Sequence, residues 1–322
     1  LALHFEEKKA PWETLFFLPM RNNILVIGST NTDMVIKTKH FPLPGETVLG
    51  GRFIMNSGGK GANQAVAAAR LGGQVAFITK LGNDIFGKQA MQQFQKEGIL
   101  TDYVLSDPDH PSGVALITVD AKGENSIVVA PGANGALTPP DVLLARPEFD
   151  RCAVVLMQLE VPLETVAAAA SLAASLGKKV MLNPAPAAPL SDELLRNLFL
   201  ITPNRAETEA LTGIQLKDLP SMEAAARHLR ARGVENVVIT LGAEGAYLCN
   251  ANTSRLIATV RTEAVDTTAA GDVFNGALVV ALSEDMPMEA AVEFANRAAA
   301  ISVTRMGAQA SAPFRRELQA VR

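Results

Sequence analysis

Short apolar runs, each closed by a polar or glycine-rich cluster, recur along this chain. Ile24–Ile27 ends at Gly28 and opens into Ser29-Thr30-Asn31-Thr32-Asp33; Val75–Ile78, Ala153–Met157, Lys179–Leu182, Leu198–Ile201 and Val237–Ile239 follow the same plan. Runs without polar alternation suit strands buried on both faces, as in a parallel sheet. From about residue 150 the runs alternate with helical stretches near 162–176, 205–212 and 221–232. That alternation predicts an α/β fold with a doubly wound, mainly parallel sheet and helices on both faces. The clusters after the strands, such as Thr202-Pro203-Asn204 and Thr240–Gly245, then share one rim of the sheet, where ligands bind in open α/β folds.

Two stretches break the pattern. Met34-Val35-Ile36 and Thr47-Val48-Leu49 flank the turn formers Pro42-Leu43-Pro44-Gly45-Glu46 and read as short strands around a loop. Val114–Val119 and Ser126–Val129 are joined by a polar turn, as in a hairpin. Together, residues of about 34–55 and 112–130 predict a small β-sheet set into the larger body, which spans 20–322. Residues 1–19 read as a tail or an over-extended start: the charged patch Glu6–Lys9 and the short apolar piece Leu15–Leu18 do not make a secretion signal.

Chemistry concentrates in two glycine-containing turns that open helices. Ser57-Gly58-Gly59-Lys60-Gly61-Ala62-Asn63-Gln64 runs into an alanine-rich helix; its spacing is not that of a Walker A loop. It reads either as tight helix–sheet packing or as a polyol site lined by backbone and amide groups. Val265-Asp266-Thr267-Thr268-Ala269-Ala270-Gly271-Asp272 runs into the apolar stretch Val273–Leu282. A helix start presents unpaired N–H groups and suits an anion, typically a phosphate. A carboxylate there makes sense as a base beside a phosphoryl group in transfer, or more plainly as a helix cap.

Composition narrows the classes. With 322 residues, 48% hydrophobic, the chain has ample material for a large core. A net charge of −4 argues against a nucleic-acid surface. No apolar run is long enough to span a membrane. The two cysteines, Cys152 and Cys249, are far apart, and none of the four histidines forms a zinc-type pair. A cytoplasmic protein without a disulfide framework is expected.

Taken in order, Gly58–Ala65, Asn204-Arg205-Ala206-Glu207 and Asp266–Asp272 resemble the ribokinase branch of the PfkB carbohydrate kinases. The likeness extends to Asn31-Thr32-Asp33, Gln158-Leu159-Glu160, Asn183–Pro186, Ile239–Gly242 and Thr304–Gln309, covering about residues 23–318. It implies ATP-dependent phosphorylation of the primary hydroxyl of a pentose, ribose foremost, with 2-deoxyribose, another sugar or a nucleoside as alternatives and a non-catalytic sugar-binding regulator as the rival of another class. By the same resemblance Asp272 is the base, and the Ala269, Ala270 and Gly271 amides hold the charge of the transferring phosphoryl group. Asn31, Asp33, Gly59, Lys60, Asn63 and Glu160 would bind the sugar. Asn204, Thr240, Leu241, Gly242, Ala243, Glu244, Gly245, Gly271 and Asn296 would bind ATP, with Glu207 helping to place Mg²⁺. The alternative for Asn204 and Glu207 is a capping box. For Glu160 it is the first acid of the helix after Pro162. Asp266, Thr268, Ser302, Arg305, Gly307 and Ser311 would surround K⁺, Arg305 only by its carbonyl. The small sheet would act as a lid and pair two copies into a homodimer.

Overall fold

Within the first strand, Asn23–Ile27 (β1), alternate side chains enter two different cores. Ile24 and Val26 pack into one buried cluster and Leu25 and Ile27 into a second. Period-two side-chain direction and the absence of a polar face require this: both sides of the strand must be covered. The computed structural model describes residues 23–320. The expected tail at 1–19 lies outside them.

After β1 come β2 (Asn31–Lys37), β3 (Arg52–Gly58), α1 (Lys60–Arg70), β4 (Gln74–Gly82), α2 (Ile85–Lys96), β5 (Val104–Asp107), β6 (Gly113–Val119) and β7 (Asn125–Ala130). A 3-10 turn at Gly132–Ala136 leads to α3 (Pro139–Leu143), α4 (Arg146–Arg151), β8 (Val154–Met157), α5 (Leu163–Ser175), β9 (Lys179–Leu182), α6 (Asp192–Arg196) and β10 (Leu200–Ile201). The chain closes with α7 (Arg205–Thr212), α8 (Leu219–Ala231), β11 (Asn236–Thr240), β12 (Ala246–Cys249), β13 (Ser254–Ile257), α9 (Ala270–Ser283), α10 (Met288–Ser302) and α11 (Arg315–Ala320).

Nine strands form one sheet in the order β13-β12-β11-β10-β9-β8-β1-β4-β5. Pairing is parallel from β5 to β11, while β12 and β13 add an antiparallel edge. Helices α1, α9 and α10 cover one face, and α5 and α8 the other, so the doubly wound expectation holds. Among the described residues no helix is long and apolar enough to cross a membrane.

A second sheet has the order β3-β2-β6-β7. Its strands differ from the sequence reading in two places. Thr47-Val48-Leu49 is not a strand; the strand is Arg52–Gly58. Gly45, Gly50 and Gly51 all have positive φ and keep the intervening chain irregular, so pairing with β2 begins only after them. Asn31-Thr32-Asp33, read as part of the polar cluster that follows the first strand, instead begins β2. The register puts Asp33 on one face of this sheet and Ile36, Phe53, Met55, Leu116 and Val128 on the opposite face. All five of those apolar side chains are exposed.

Candidate active site

The first piece of the site is the junction of β1, β2 and α1. An ideal Cβ on Gly61 would lie 2.6 Å from the Gly28 carbonyl carbon, and one on Gly59 would lie 2.6 Å from the Asn31 nitrogen. The glycine cluster thus packs backbone on backbone, which is the plainer of its two readings. It also shapes a site. A Cβ on Gly58 would lie 2.2 Å from the Asp33 carboxylate, so that carboxylate rests against the Gly58 backbone.

Gly59 caps α1 at φ 87° and has no side chain to offer its N–H groups. Partners distant in sequence serve instead. The Lys60 N–H donates to Glu160 Oε2 (3.0 Å), and the Ala62 N–H to the Ser29 carbonyl (2.9 Å). Ser29 Oγ donates to the same Glu160 oxygen at 2.5 Å. Glu160 therefore caps α1, not the helix after Pro162, and the alternative reading of it as the first acid of that helix is corrected. Its negative charge at a helix N-terminus is electrostatically favoured. Asn31 Oδ1 accepts from Asn134 Nδ2 (2.8 Å), and Asn134 also exchanges bonds with the Thr30 backbone. Neither Ser29 nor Asn134 was singled out from the sequence.

The second piece is the start of α9. Its cap is Ala269, in the left-handed region at φ 59°, and no side chain caps the helix. The cap reading of Asp272 is thereby corrected: it is the third helical residue and faces α1. The Ala270 N–H is used, donating to the Thr267 carbonyl at 3.2 Å. A non-glycine residue held at positive φ costs roughly 1–3 kcal/mol, and such positions cluster where a turn has work to do. Asp272 Oδ2 accepts from Asn63 Nδ2 and Oδ1 from Gln64 Nε2, both at 2.9 Å.

Charge gathers here. Burial, then Glu160 and Asp272, push Asp33 from 3.8 to about 6, against the pull of Lys60. Burial likewise raises Asp272, while Lys60 and the two amides oppose it. Burial works against the Lys60 ammonium, yet Asp272, Glu160, Glu207 and Asp33 together hold it above the ordinary lysine value. Carboxylates and amides converging with one ammonium suit a ligand rich in hydroxyls, each of which donates and accepts.

On the other side of the α9 start lies a cleft of about 550 Å³. Thr240, Gly242, Ala243, Glu244, Gly245, Gly271 and Asn296, all named for ATP from the resemblance, line it together with Ala270. Leu241 does not: it is buried, with its N–H tied to the Gly245 carbonyl. Asn204 also lies off the wall, bridged to Thr240 at the ends of β10 and β11. The missed lining comes from Thr259–Thr262 and from Phe274, Ala299 and Val303. Their apolar surface suits the flat face of a base, and the exposed α9 start suits phosphate.

Asn204 and Glu207 form a capping box: the Glu207 N–H donates to Asn204 Oδ1, and Glu207 accepts from the Asn204 N–H and Nδ2 at 2.9 Å each. Burial raises its carboxyl, opposed by the Asn204 N–H and Lys60. A carboxylate so engaged can reach a metal through water, and no cluster of three or more metal-ligating side chains exists among the described residues.

The cation candidates partly converge. Asp266 accepts from the Thr268 N–H (2.9 Å) and the Gly307 N–H (2.8 Å), and the Arg305 N–H bonds the Ser302 carbonyl. The Arg305 side chain is paired with Glu317. Ser311 donates to the Ala308 carbonyl.

The sequence profile described as pfkB family carbohydrate kinase matches residues 21–315. A ribokinase of Haemophilus influenzae is 47% identical over 92% of this chain and 97% of its own length. A deoxyribokinase of Salmonella typhi is 39% identical over 90% of this chain and 95% of its own. The structure of Arabidopsis thaliana ribokinase complexed with ribose and ATP superposes with a TM-score of 0.88 at 30% identity, covering 94% of this chain and 98% of that one. Matched along almost its whole described length, the chain belongs to the pfkB family of carbohydrate kinases.

Proposed function

We propose that this protein is a ribokinase, transferring the terminal phosphoryl group of ATP to the primary hydroxyl of D-ribose to give ribose 5-phosphate. One observation carries the reading. The start of α9 faces an apolar cleft through Ala270 and Gly271 and an acid–amide cluster through Asp272. A nucleotide in the cleft and a sugar on the cluster would then meet at one helical turn. Relatives named ribokinase, one of them solved with ribose and ATP, support the same assignment.

In the transfer, Asp272 orients the sugar hydroxyl and takes its proton as the oxygen–phosphorus bond forms; the bond to the ADP oxygen breaks, and ADP leaves. The Ala269 and Gly271 N–H groups face the charge on the phosphoryl oxygens, while the Ala270 N–H, tied to the Thr267 carbonyl, holds the shape of the turn. Phosphoryl transfer asks chiefly for such positioning and charge compensation. Asn31, Asp33, Gly59, Lys60, Asn63 and Glu160 hold the sugar. Mg²⁺, carried on the ATP phosphates with Glu207 reaching it through water, would neutralise phosphate charge. The oxygen-rich loop around Asp266 and Gly307 fits K⁺, which would stiffen the turn at Ala269. The buried thiols of Cys152 and Cys249 accord with a cytoplasmic setting.

The deciding experiment is a panel of ribose, 2-deoxyribose, arabinose, fructose and ribonucleosides with ATP, Mg²⁺ and K⁺, read as ADP release and sugar phosphate formed. Ribose should give the highest kcat/KM. A preference for 2-deoxyribose would assign the chain to the neighbouring activity.

Three further results are expected. Replacing K⁺ by a bulky organic cation should lower kcat severalfold with the Mg²⁺ level held constant; an unchanged rate rejects the cation role of the Asp266 loop. Asp33 should lose a proton when sugar binds, because hydroxyl donors favour its ionised form. Its raised folded value means that the free protein holds this proton up to about pH 6, where the release on sugar binding is to be measured, and its contribution to stability falls as pH rises from 3.8 toward about 6. Sugar affinity should correspondingly weaken as pH drops through about 6. Calorimetric titration in two buffers of different ionisation enthalpy detects the released proton, and its absence rejects Asp33 as a ligand. The small sheet acts as the lid. The apolar face opposite Asp33 suits a second copy of the same face, so sedimentation should give a dimer. Phe53→Glu should shift it to monomer; a parent protein that stays monomeric rejects the pairing.

A further inference from the structure

Both oxygens of the Asp272 carboxylate carry a protein donor, but the two donors are held differently. Asn63 Nδ2 donates to Asp272 Oδ2 while its Oδ1 has no hydrogen-bond partner among the described residues, so only the carboxylate itself orients this amide. Gln64 is fully buried and fixed at both ends. Its Oε1 accepts from Gln158 Nε2 at 2.6 Å. Its Nε2 donates both to Asp272 Oδ1 (2.9 Å) and to Asn183 Oδ1 (3.0 Å). Turning this amide over would set its oxygen against two acceptors and its NH₂ against the Gln158 NH₂. Asp272 and Asn183, the latter oriented by the bond from its Nδ2 to the Thr202 carbonyl, therefore set the sense in which Gln64 presents N–H, and Gln158, whose own Oε1 has no partner among the described residues, anchors the far end of the amide. The chain of bonds continues to the helix turn. Asn183 Nδ2 donates to the Thr202 carbonyl, the Thr202 hydroxyl to Asn275 Oδ1 (2.6 Å), and Asn275 Nδ2 to the Gly271 carbonyl (2.8 Å).

We propose that Gln64 is the positioning residue that aims Asp272 and keeps it a carboxylate, with Gln158 anchoring the far end of the Gln64 amide. The inference rests on the reading of Asp272 as the base. A hydrogen bond donated to a buried ionised group is among the stronger ones in proteins, and its loss shifts proton affinity about tenfold. The charged groups facing Asp272 are Lys60 on α1, which favours the carboxylate, and Glu160 after β8, Asp33 on β2 and Glu207 on α7, which oppose it. None of these changes when Gln64 or Gln158 becomes methionine, a side chain of similar length with no donor.

The test is kcat against pH at saturating ribose and ATP for the parent, Gln64→Met and Gln158→Met, with thermal unfolding recorded for each. The acid limb of kcat should move up by about one pH unit in Gln64→Met, with much of the rate recovered above it. Gln158→Met, which leaves Asp272 its direct partners, should move the limb the same way by a smaller amount. A limb that stays in place in a folded variant, whether the rate is uniformly lower or unchanged, overturns the proposal. Should Gln64→Met not fold, Gln158→Met decides alone. A parent that phosphorylates no sugar rejects the functional reading instead, which separates the two failures.

Discussion

Asp272→Asn should lower kcat by on the order of 10³-fold while the protein unfolds at the same or a higher temperature. The first half follows from chemistry: an amide cannot accept the hydroxyl proton. The second follows from burial. Desolvation is the main cause that raises the Asp272 carboxyl, so the charged form is held at a cost in stability that a neutral amide of the same shape removes. One donor of the new amide would face Asn63 Nδ2 or Gln64 Nε2. Asn63 can absorb the change, because its Oδ1 has no partner among the described residues and its amide can turn to accept. Activity loss together with retained stability marks a residue kept for function and not for folding. The paired measurements are steady-state ADP release and thermal unfolding. A variant as active as the parent would remove Asp272 as the base, and one that is inactive because it is unfolded would contradict the account of its surroundings.

Gly59→Ala should have the largest effect on the fold of the site. The added Cβ would lie 2.6 Å from the Asn31 nitrogen and 2.8 Å from the Thr30 Cα, both backbone atoms with no flexible end to move. It would also hold alanine at φ 87°. Positive φ and overpacking each cost roughly 1–3 kcal/mol, so a loss of about 2–6 kcal/mol is expected. In a chain of this size that lowers Tm by about 3–9 °C. Asn31 and Asp33 follow within the same strand, so sugar KM should rise as well. Gly135→Ala is the control: its Cβ would meet only ordinary contacts, the nearest at 3.6 Å, at a residue without positive φ. Equal stability of the two variants would sink the packing argument.

The site residues divide by the reach of the signal that reveals them. The glycine cluster at Gly58–Gly61, the acid at the head of α9 and the Asn204–Glu207 spacing are local. Each is a short pattern whose meaning lies in the turn or helix start that it makes, and the structure has all three at element starts. Thr47-Val48-Leu49 misled because a local apolar triplet cannot reveal that Gly50 and Gly51, just beyond it, break the pairing. Asn134 carries no local pattern, Ser29 is one polar residue in a cluster, and Gln158 and Asn183 stood out only through the resemblance, with no role assigned. Gln64 meets Asp272 across 208 positions, and Lys60 meets Glu160 across 100. The cleft wall at Thr259–Thr262 was missed for a related reason: the segment is irregular, and only the approach of α10 makes it a surface.

By itself, the sequence determined the layered fold, through apolar runs that must be covered on both faces. It also determined the class of chemistry, through small-residue turns that open helices beside a carboxylate. Tertiary structure alone decided that one helical turn separates an apolar cleft from an acid–amide cluster. It alone decided that Glu160 caps α1 and that buried amides hold Asp272. Those outcomes depend on which distant backbone and side-chain groups must satisfy one another once water is excluded. No local periodicity encodes that pairing.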